Sequence, residues 1–328
     1  MEKIKVAVIG VGAMGRNHVR VYSETPECDL VAISDLDEKK AKEIAEEFKC
    51  KYYVYPKEML EKETLDAVSI AVPTKNHKRV SLDVINRGVH ILLEKPIADC
   101  IGDAKEIIKK SKEKKIKLLV GHIERFNPAV TKLKEIIDQG KVGAISSIIA
   151  RRVGLFPPRI KDANIVIDTS VHDIDIVKYI MGREPDDIYA CGGMSLNDNR
   201  EDQVVAVLKY GQASGIIQSN WITPIKIRNL SVTGIKGYAE LNYITQELTL
   251  YEINYKKTFD DYGDFVLKFG NPDKISIGII NKEPLKVEIE HFLKCIKDNE
   301  DPLVNGDEAL STLKIALDIN EKLKKVKD

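Results

Sequence analysis

One stretch near the amino terminus constrains the chain more than any other. The apolar run Lys5–Ile9 passes into Gly10-Val11-Gly12-Ala13-Met14-Gly15, a helix-forming stretch follows through Tyr22, and a second apolar run, Leu30–Ser34, ends on Asp35. The first glycine permits a tight strand-to-helix turn, the second leaves bare backbone for a pyrophosphate, and the third lets the helix lie close on a sheet. A helix start offers free N–H groups to an anion, and an acid about twenty residues beyond the glycines suits a ribose hydroxyl. Gly10, Gly12, Ala13, Met14, Gly15 and Asp35 are therefore expected to hold a dinucleotide, with an ordinary glycine-rich turn as the plainer alternative. A carboxylate at 35 accepts a ribose 2′-hydroxyl but repels a 2′-phosphate, which favours NAD over NADP, although Lys39 and Lys40 nearby pull the other way.

Up to residue 122 short β-rich runs alternate with helical patterns, the mark of βαβ units and a parallel sheet. Strands are expected at 4–9, 29–34, 51–54, 67–72, 89–93 and 117–121, with helices at 13–24, 38–48, 57–62, 76–87 and 101–115. Ligands of such a doubly wound α/β Rossmann sheet lie beyond the carboxyl ends of the strands. Pro73, Thr74 and His77 leave one strand end and Glu94, Lys95 and Pro96 the next, so both segments should border the dinucleotide. After Gly121 the alternation stops, and a second domain, 123–328, is expected to be α+β. Helices at 128–139 and 169–181 flank a long strand at 144–153. Strand-like runs follow at 187–194, 203–209, 213–222, 227–233, 238–242 and 247–252, and turns at Tyr210-Gly211-Gln212 and Ile235-Lys236-Gly237 imply a large, mainly antiparallel sheet. Its open face predicts a homodimer or homotetramer. The stretch 255–284 is poorly periodic, and helices near 286–298 and 307–325 close the chain.

Composition removes several function classes. Lysine plus arginine equals aspartate plus glutamate, giving zero formal charge, so no global field recruits nucleic acid or anionic membrane. No apolar run approaches a membrane span, and the sequence passes from Met1 straight into a strand, which points to the cytoplasm. The five cysteines are scattered without a CxxC pair and the six histidines are dispersed, arguing against disulfides and a metal site.

The second domain carries Asp168-Thr-Ser-Val-His172-Asp173. On a helix the i, i+4 spacing puts Asp168 and His172 on one face, where a carboxylate can orient an imidazole or share a substrate hydroxyl with it. Taken alone, an N-cap aspartate and a structural histidine are the better reading, and Lys95 could be a solvated charge. Together with Gly10–Gly15, Pro73-Thr74, His77 and Glu94-Lys95-Pro96, however, the chain resembles the Gfo/Idh/MocA family of nicotinamide-dependent sugar and cyclitol oxidoreductases along nearly its whole length. The resemblance implies that Lys95 reaches the nicotinamide ribose and the substrate, and that Asp168 and His172 face the reacting hydroxyl. Oxidising a secondary alcohol needs a base within hydrogen-bond reach of that oxygen, which suits His172; Lys95 supplies a cation where negative charge develops, and Asp168 accepts a neighbouring hydroxyl or orients the imidazole.

The segments 121–128 and 151–159 resemble those of family members acting on nucleotide-linked amino sugars, which implies the C3 hydroxyl of UDP-N-acetylglucosamine as the site of oxidation. A diphosphate suits arginine forks, and Arg125, Arg151, Arg152, Arg159 and Lys161 could supply one. Arg151 and Arg152 must point to opposite faces of a strand, so one of that pair at most meets substrate. A free-sugar or inositol dehydrogenase remains the alternative within the family. A non-catalytic dinucleotide-sensing regulator is the alternative outside it.

Overall fold

The computed structural model describes residues 3–156, 163–196, 200–252, 255–259, 265–269 and 272–325. The chain divides into two compact units, and neither is one continuous segment. The first takes residues up to Phe126 together with Glu283–Lys314, and the second takes Asn127–Lys282 with the remainder from Ile315. The division expected at 122/123 assigned everything after it to the second domain; 283–314 belongs instead with the first.

Unit one is a six-stranded sheet of β1 (Ile4–Ile9), β2 (Cys28–Ser34), β3 (Lys51–Tyr53), β4 (Ala67–Ile70), β5 (His90–Glu94) and β6 (Leu118–Gly121). The order is β3-β2-β1-β4-β5-β6 and every pairing is parallel. The strand order reverses between β1 and β4, and that switch point is where such sheets bind their ligands. The central strands are buried on both faces, as parallel strands covered by helices must be: Val6, Ala7, Val8, Val68, Ile70, Ile91, Leu92 and Leu93 are all inaccessible. Helices α1 (Ala13–Glu24), α2 (Glu38–Phe48), α3 (Pro56–Lys62), α4 (His77–Asn86) and α5 (Ile101–Glu113) make the crossovers. The returning α8 (Pro284–Asp298) contacts α1 and the turn Ile123–Phe126, and buries Leu285, Ile289 and Phe292.

Unit two holds α6 (Pro128–Asp138), α7 (Val171–Met181) and an eight-stranded sheet. Its strands are β7 (Ile145–Leu155), β8 (Asp187–Gly193), β9 (Gln203–Tyr210), β10 (Ala213–Asn220), β11 (Ile222–Gly234), β12 (Gly237–Asn242), β13 (Glu247–Glu252) and β16 (Asp273–Ile277), in the order β16-β13-β12-β11-β7-β10-β9-β8. Only β10 with β7 is parallel; the other pairings are antiparallel, as the hairpin turns imply. A separate hairpin joins β14 (Tyr255–Phe259) to β15 (Phe265–Phe269). Sequence periodicity misses β16 because it is an edge strand: four of its five residues are exposed, so no alternation marks it. One sheet face is buried, with Ile148, Ala150, Ala206, Leu208, Ile217, Leu230 and Val232 packed with helix residues such as Ile174 and Val177. On the other face, paired neighbours line up an apolar row, Tyr189, Val207, Ile216 and Ile149.

Candidate active site

In unit one the glycine turn is built as its residue types require. Gly10 has a φ of 85°, and a Cβ there would lie 2.7 Å from the Ala71 carbonyl oxygen, so both backbone angle and space exclude other residues. A Cβ on Gly15 would sit 1.8 Å from the Gly10 carbonyl oxygen. Gly12 differs: a Cβ there meets nothing within 4 Å, and as N-cap of α1 it provides no side-chain acceptor. The turn is thus packed beneath and open above, the form a pyrophosphate on a helix start needs. Ala13 is exposed and Met14 half-buried on that rim. Beside it runs a groove lined by Val11, Gly12, Ala13, Arg16, Lys40 and Ile44, among others. Asp35 stands at the β2 end, where one carboxylate oxygen accepts the Val11 N–H at 2.8 Å and the other the Asp37 N–H at 3.0 Å. Asp35 therefore braces the glycine turn, while Lys40 approaches it at 4.0 Å.

The two neighbouring strand ends are tied together from inside. Pro73 is exposed and Thr74 half-buried at the β4 exit, but His77 is buried, with Nδ1 2.9 Å from the Pro96 carbonyl oxygen and Nε2 3.0 Å from that of Val72. Burial holds its pKa below the ordinary value. Both ring nitrogens of His77 face backbone carbonyls, of Val72 before Pro73 and of Pro96 after Lys95, and a neutral ring donates to one of the two at a time. Glu94 likewise faces inward. Its Oε1 lies 3.0 Å from His18 Nε2, His18 Nδ1 lies 3.0 Å from Ser69 Oγ, and Tyr22 Oη lies 2.8 Å from that hydroxyl. Gly121 makes the room, since a Cβ there would lie 3.2 Å from Glu94 Oε1. Burial alone would push the Glu94 pKa up, but the hydrogen bond and charge of His18, with Lys95 and His77 nearby, keep it below the ordinary value. His77 and Glu94 thus both brace the strand end that carries Lys95. Glu288 of α8 is fully buried with neither oxygen hydrogen-bonded among the described residues, and burial, followed by the charge of Glu94, pushes its pKa well up.

In unit two Asp168 lies within a π-helical turn, Val166–Ser170, that leads directly into α7. Such wide turns are uncommon and frequent at functional sites. Asp168 and His172 stand on successive turns, both half-buried. Thr169 Oγ1 donates to Asp168 Oδ2 at 3.0 Å and accepts the Trp221 indole N–H at 3.1 Å. Asp173 points inward and receives a two-pronged bond from Arg152, Nε to Oδ2 at 2.9 Å and Nη2 to Oδ1 at 3.0 Å. The Arg152 guanidinium also lies over the Tyr243 ring, 4.9 Å from its centroid.

The arginines expected to clamp a diphosphate are largely committed elsewhere. Arg125 is buried and paired with Glu308 at 2.9 Å. Arg152 faces α7, so strand alternation sends the exposed Arg151 to the opposite sheet face, away from the layer bearing Asp168 and His172. Arg159 and Lys161 lie outside the described residues. Arg200, which sequence reasoning passed over, has its guanidinium 5.3 Å from the Phe156 ring centroid and 5.9 Å from that of Trp221. No local pattern signals it, because its partners come from distant strands.

Two family models match the chain in succession: the oxidoreductase family with an NAD-binding Rossmann fold over residues 4–122, and the GFO/IDH/MocA C-terminal domain over 130–240. The chain belongs to the Gfo/Idh/MocA family. It is an NAD-binding oxidoreductase, and the open glycine turn and Asp35 fit that cofactor. Among relatives, UDP-N-acetylglucosamine 3-dehydrogenase of Acidithiobacillus ferrooxidans is 28% identical over 97% of each chain. Its crystal structure superposes with a TM-score of 0.87 at 25% identity, covering 99% of both chains. The scyllo-inositol 2-dehydrogenase (NAD(+)) of Bacillus subtilis is 27% identical over 96% of this chain and 92% of its own. An oxidoreductase from Agrobacterium radiobacter, solved with NAD+, L-tartaric acid and magnesium, shares the fold at 18% identity and a TM-score of 0.84, covering 98% and 97% of the two chains. Among the described residues no helix is long and apolar enough to cross a membrane.

Proposed function

We propose that this protein oxidises the C3 hydroxyl of UDP-N-acetylglucosamine to the 3-keto sugar nucleotide. The observation that carries the chemistry is the placement of Asp168 and His172 on successive turns at the start of α7. The sugar nucleotide is supported by similarity over nearly the full length of both chains to the Acidithiobacillus enzyme. NAD supplies a two-electron acceptor when bound. His172 takes the hydroxyl proton, Asp168 holds the imidazole or the adjacent hydroxyl, and Lys95 stabilises negative charge building on the substrate oxygen. Gly10, Gly12, Ala13, Met14, Gly15, Asp35, Pro73 and Thr74 line the cofactor side. Arg159 is retained as a diphosphate ligand, and Arg200 joins it as a candidate.

A second reading, a free-sugar or inositol dehydrogenase, draws support from the inositol relative and from the pairing of Arg125 with Glu308 and of Arg152 with Asp173. Turnover of UDP-N-acetylglucosamine, free N-acetylglucosamine and myo-inositol with NAD separates the two. Efficient oxidation of free sugar or inositol would displace the nucleotide-sugar reading, and binding of NAD with no redox change for any of them would favour a sensor. A cytoplasmic homodimer or homotetramer is proposed through the open sheet face, whose apolar row includes Tyr189 at 56% and Ile149 at 44% exposure. Light scattering of wild type and Ile149→Glu measures it; an Ile149→Glu protein of unchanged mass would exclude that face.

A further inference from the structure

Resting on the catalytic reading of Asp168, we propose that Trp221 is a positioning residue that sets the orientation of the Asp168 carboxylate through the hydroxyl of Thr169. The polarity of the chain follows from the chemistry of its members. An indole N–H donates and never accepts, whereas a threonine hydroxyl has one proton and two acceptor sites. With Trp221 Nε1 donating to Thr169 Oγ1 at 3.1 Å, the single Thr169 proton goes to Asp168 Oδ2, 3.0 Å away. Both intermediaries are nearly inaccessible, Trp221 at 3% and Thr169 at 6% exposure, so water does not compete for these bonds.

Trp221 is itself fixed from several sides. Its backbone N–H donates to the Asp202 carbonyl oxygen at 2.9 Å. The turn that follows is held by Asn220 Oδ1, which accepts from the backbone of Ile222 and Thr223 and from the Thr223 hydroxyl. Phe156 meets the indole edge-on, with ring centroids 5.3 Å apart. The receiving end lies in a π-helical turn, Val166–Ser170. Two hydrogen bonds thus tie the sheet junction between β10 and β11 to the Asp168 carboxylate.

A series arrangement makes a sharp expectation, because breaking either link releases the same carboxylate. With whichever of UDP-N-acetylglucosamine and myo-inositol the wild type oxidises, Trp221→Phe should lower kcat about tenfold and Thr169→Val about as much or more, each with KM within about threefold. The double variant should be no slower than Thr169→Val alone, and Thr169→Ser should recover most of the loss. A readout independent of turnover uses the fact that Trp221 is the single tryptophan of the chain. The slowly exchanging indole N–H resonance of 15N-tryptophan-labelled protein should shift and exchange faster in Thr169→Val, and should also shift in Asp168→Asn. Multiplicative losses in the double variant, or an indole resonance untouched by Thr169→Val, would overturn the proposal. If Asp168→Asn is inactive while Trp221→Phe and Thr169→Val turn over normally, the relay alone is wrong. If Asp168→Asn itself turns over normally, the catalytic reading falls and the relay with it.

Discussion

Substituting alanine separately at Gly12 and Gly15 separates cofactor space from packing space. At Gly15 the new Cβ would lie 1.8 Å from the Gly10 carbonyl oxygen and 3.4 Å from Ala71 Cβ, whereas real Cβ contacts essentially never fall below 3.0 Å. The obstacle is backbone, in a turn wedged against Ala71, so the start of α1 must move by the difference, 3.0 − 1.8 = 1.2 Å. Overpacking costs roughly 1–3 kcal/mol, a 1.2 Å clash with backbone falls at the upper end of that range, and alanine in a helix returns about 1 kcal/mol, so a net loss of about 2 kcal/mol is expected. Gly12 has φ −60° and ψ −165°, ordinary extended backbone, and its Cβ meets no atom. Gly12→Ala should therefore change stability by no more than about 0.5 kcal/mol, the unfolded-state gain offsetting the cap change. Its methyl would occupy the pyrophosphate's space and weaken NAD binding at least about tenfold, roughly 1.4 kcal/mol. Urea unfolding without cofactor and calorimetric NAD titration measure the two effects. A Gly15→Ala protein as stable as wild type, or a Gly12→Ala protein with unchanged NAD affinity, would refute the assignment.

His172→Ala and Lys95→Ala should each lower turnover by about a hundredfold or more, with NAD affinity nearly kept in the first and reduced in the second; wild-type turnover of His172→Ala in a steady-state assay would remove it from the base role. Breaking the buried Arg152–Asp173 pair with Arg152→Met strands a carboxylate in the interior and should cost roughly 3–5 kcal/mol, read as a lower urea midpoint. The folded Glu288 carboxyl keeps its proton above the ordinary value of 4.5, so the unfolded state binds fewer protons there and wild-type stability falls as pH rises past that point. The stability of Glu288→Gln relative to wild type should accordingly grow between pH 5 and pH 8 in urea melts, and a constant difference would contradict a proton held by Glu288.

The nucleotide-binding sheet was legible because each of its signals is local: strand, glycine turn, helix and terminal acid fall within residues 4–35, and parallel strands buried on both faces read as apolar runs. Spacing also located the strand ends bearing His77 and Glu94. It could not say which way those side chains turn, because His77 is claimed by Pro96 and Glu94 by His18, the latter 76 positions away. Nor could it reveal that Arg125 pairs with Glu308, 183 positions on. The i, i+4 spacing of Asp168 and His172 placed them on successive turns even though the first turn is π-helical. Thr169 and Trp221, 52 positions apart, meet only when β10 returns beside β7.

The return of residues 283–314 to the first unit has a temporal consequence. Strand β6 is joined to that late segment by the Val120 N–H donating to Val304 at 2.9 Å, and a Cβ on Gly306 would lie only 2.6 Å from Ile108 and 3.1 Å from Leu118, so the two parts of the chain fit closely. On a ribosome moving at about 5–20 residues per second, the 156 residues from Asn127 to Lys282 take roughly 8–30 s to make. Throughout that interval the apolar flank of α1 that α8 will cover stays open to water and to chaperones. A message cut between codons 127 and 282 therefore yields every glycine of the cofactor turn on a unit that lacks its closing segment.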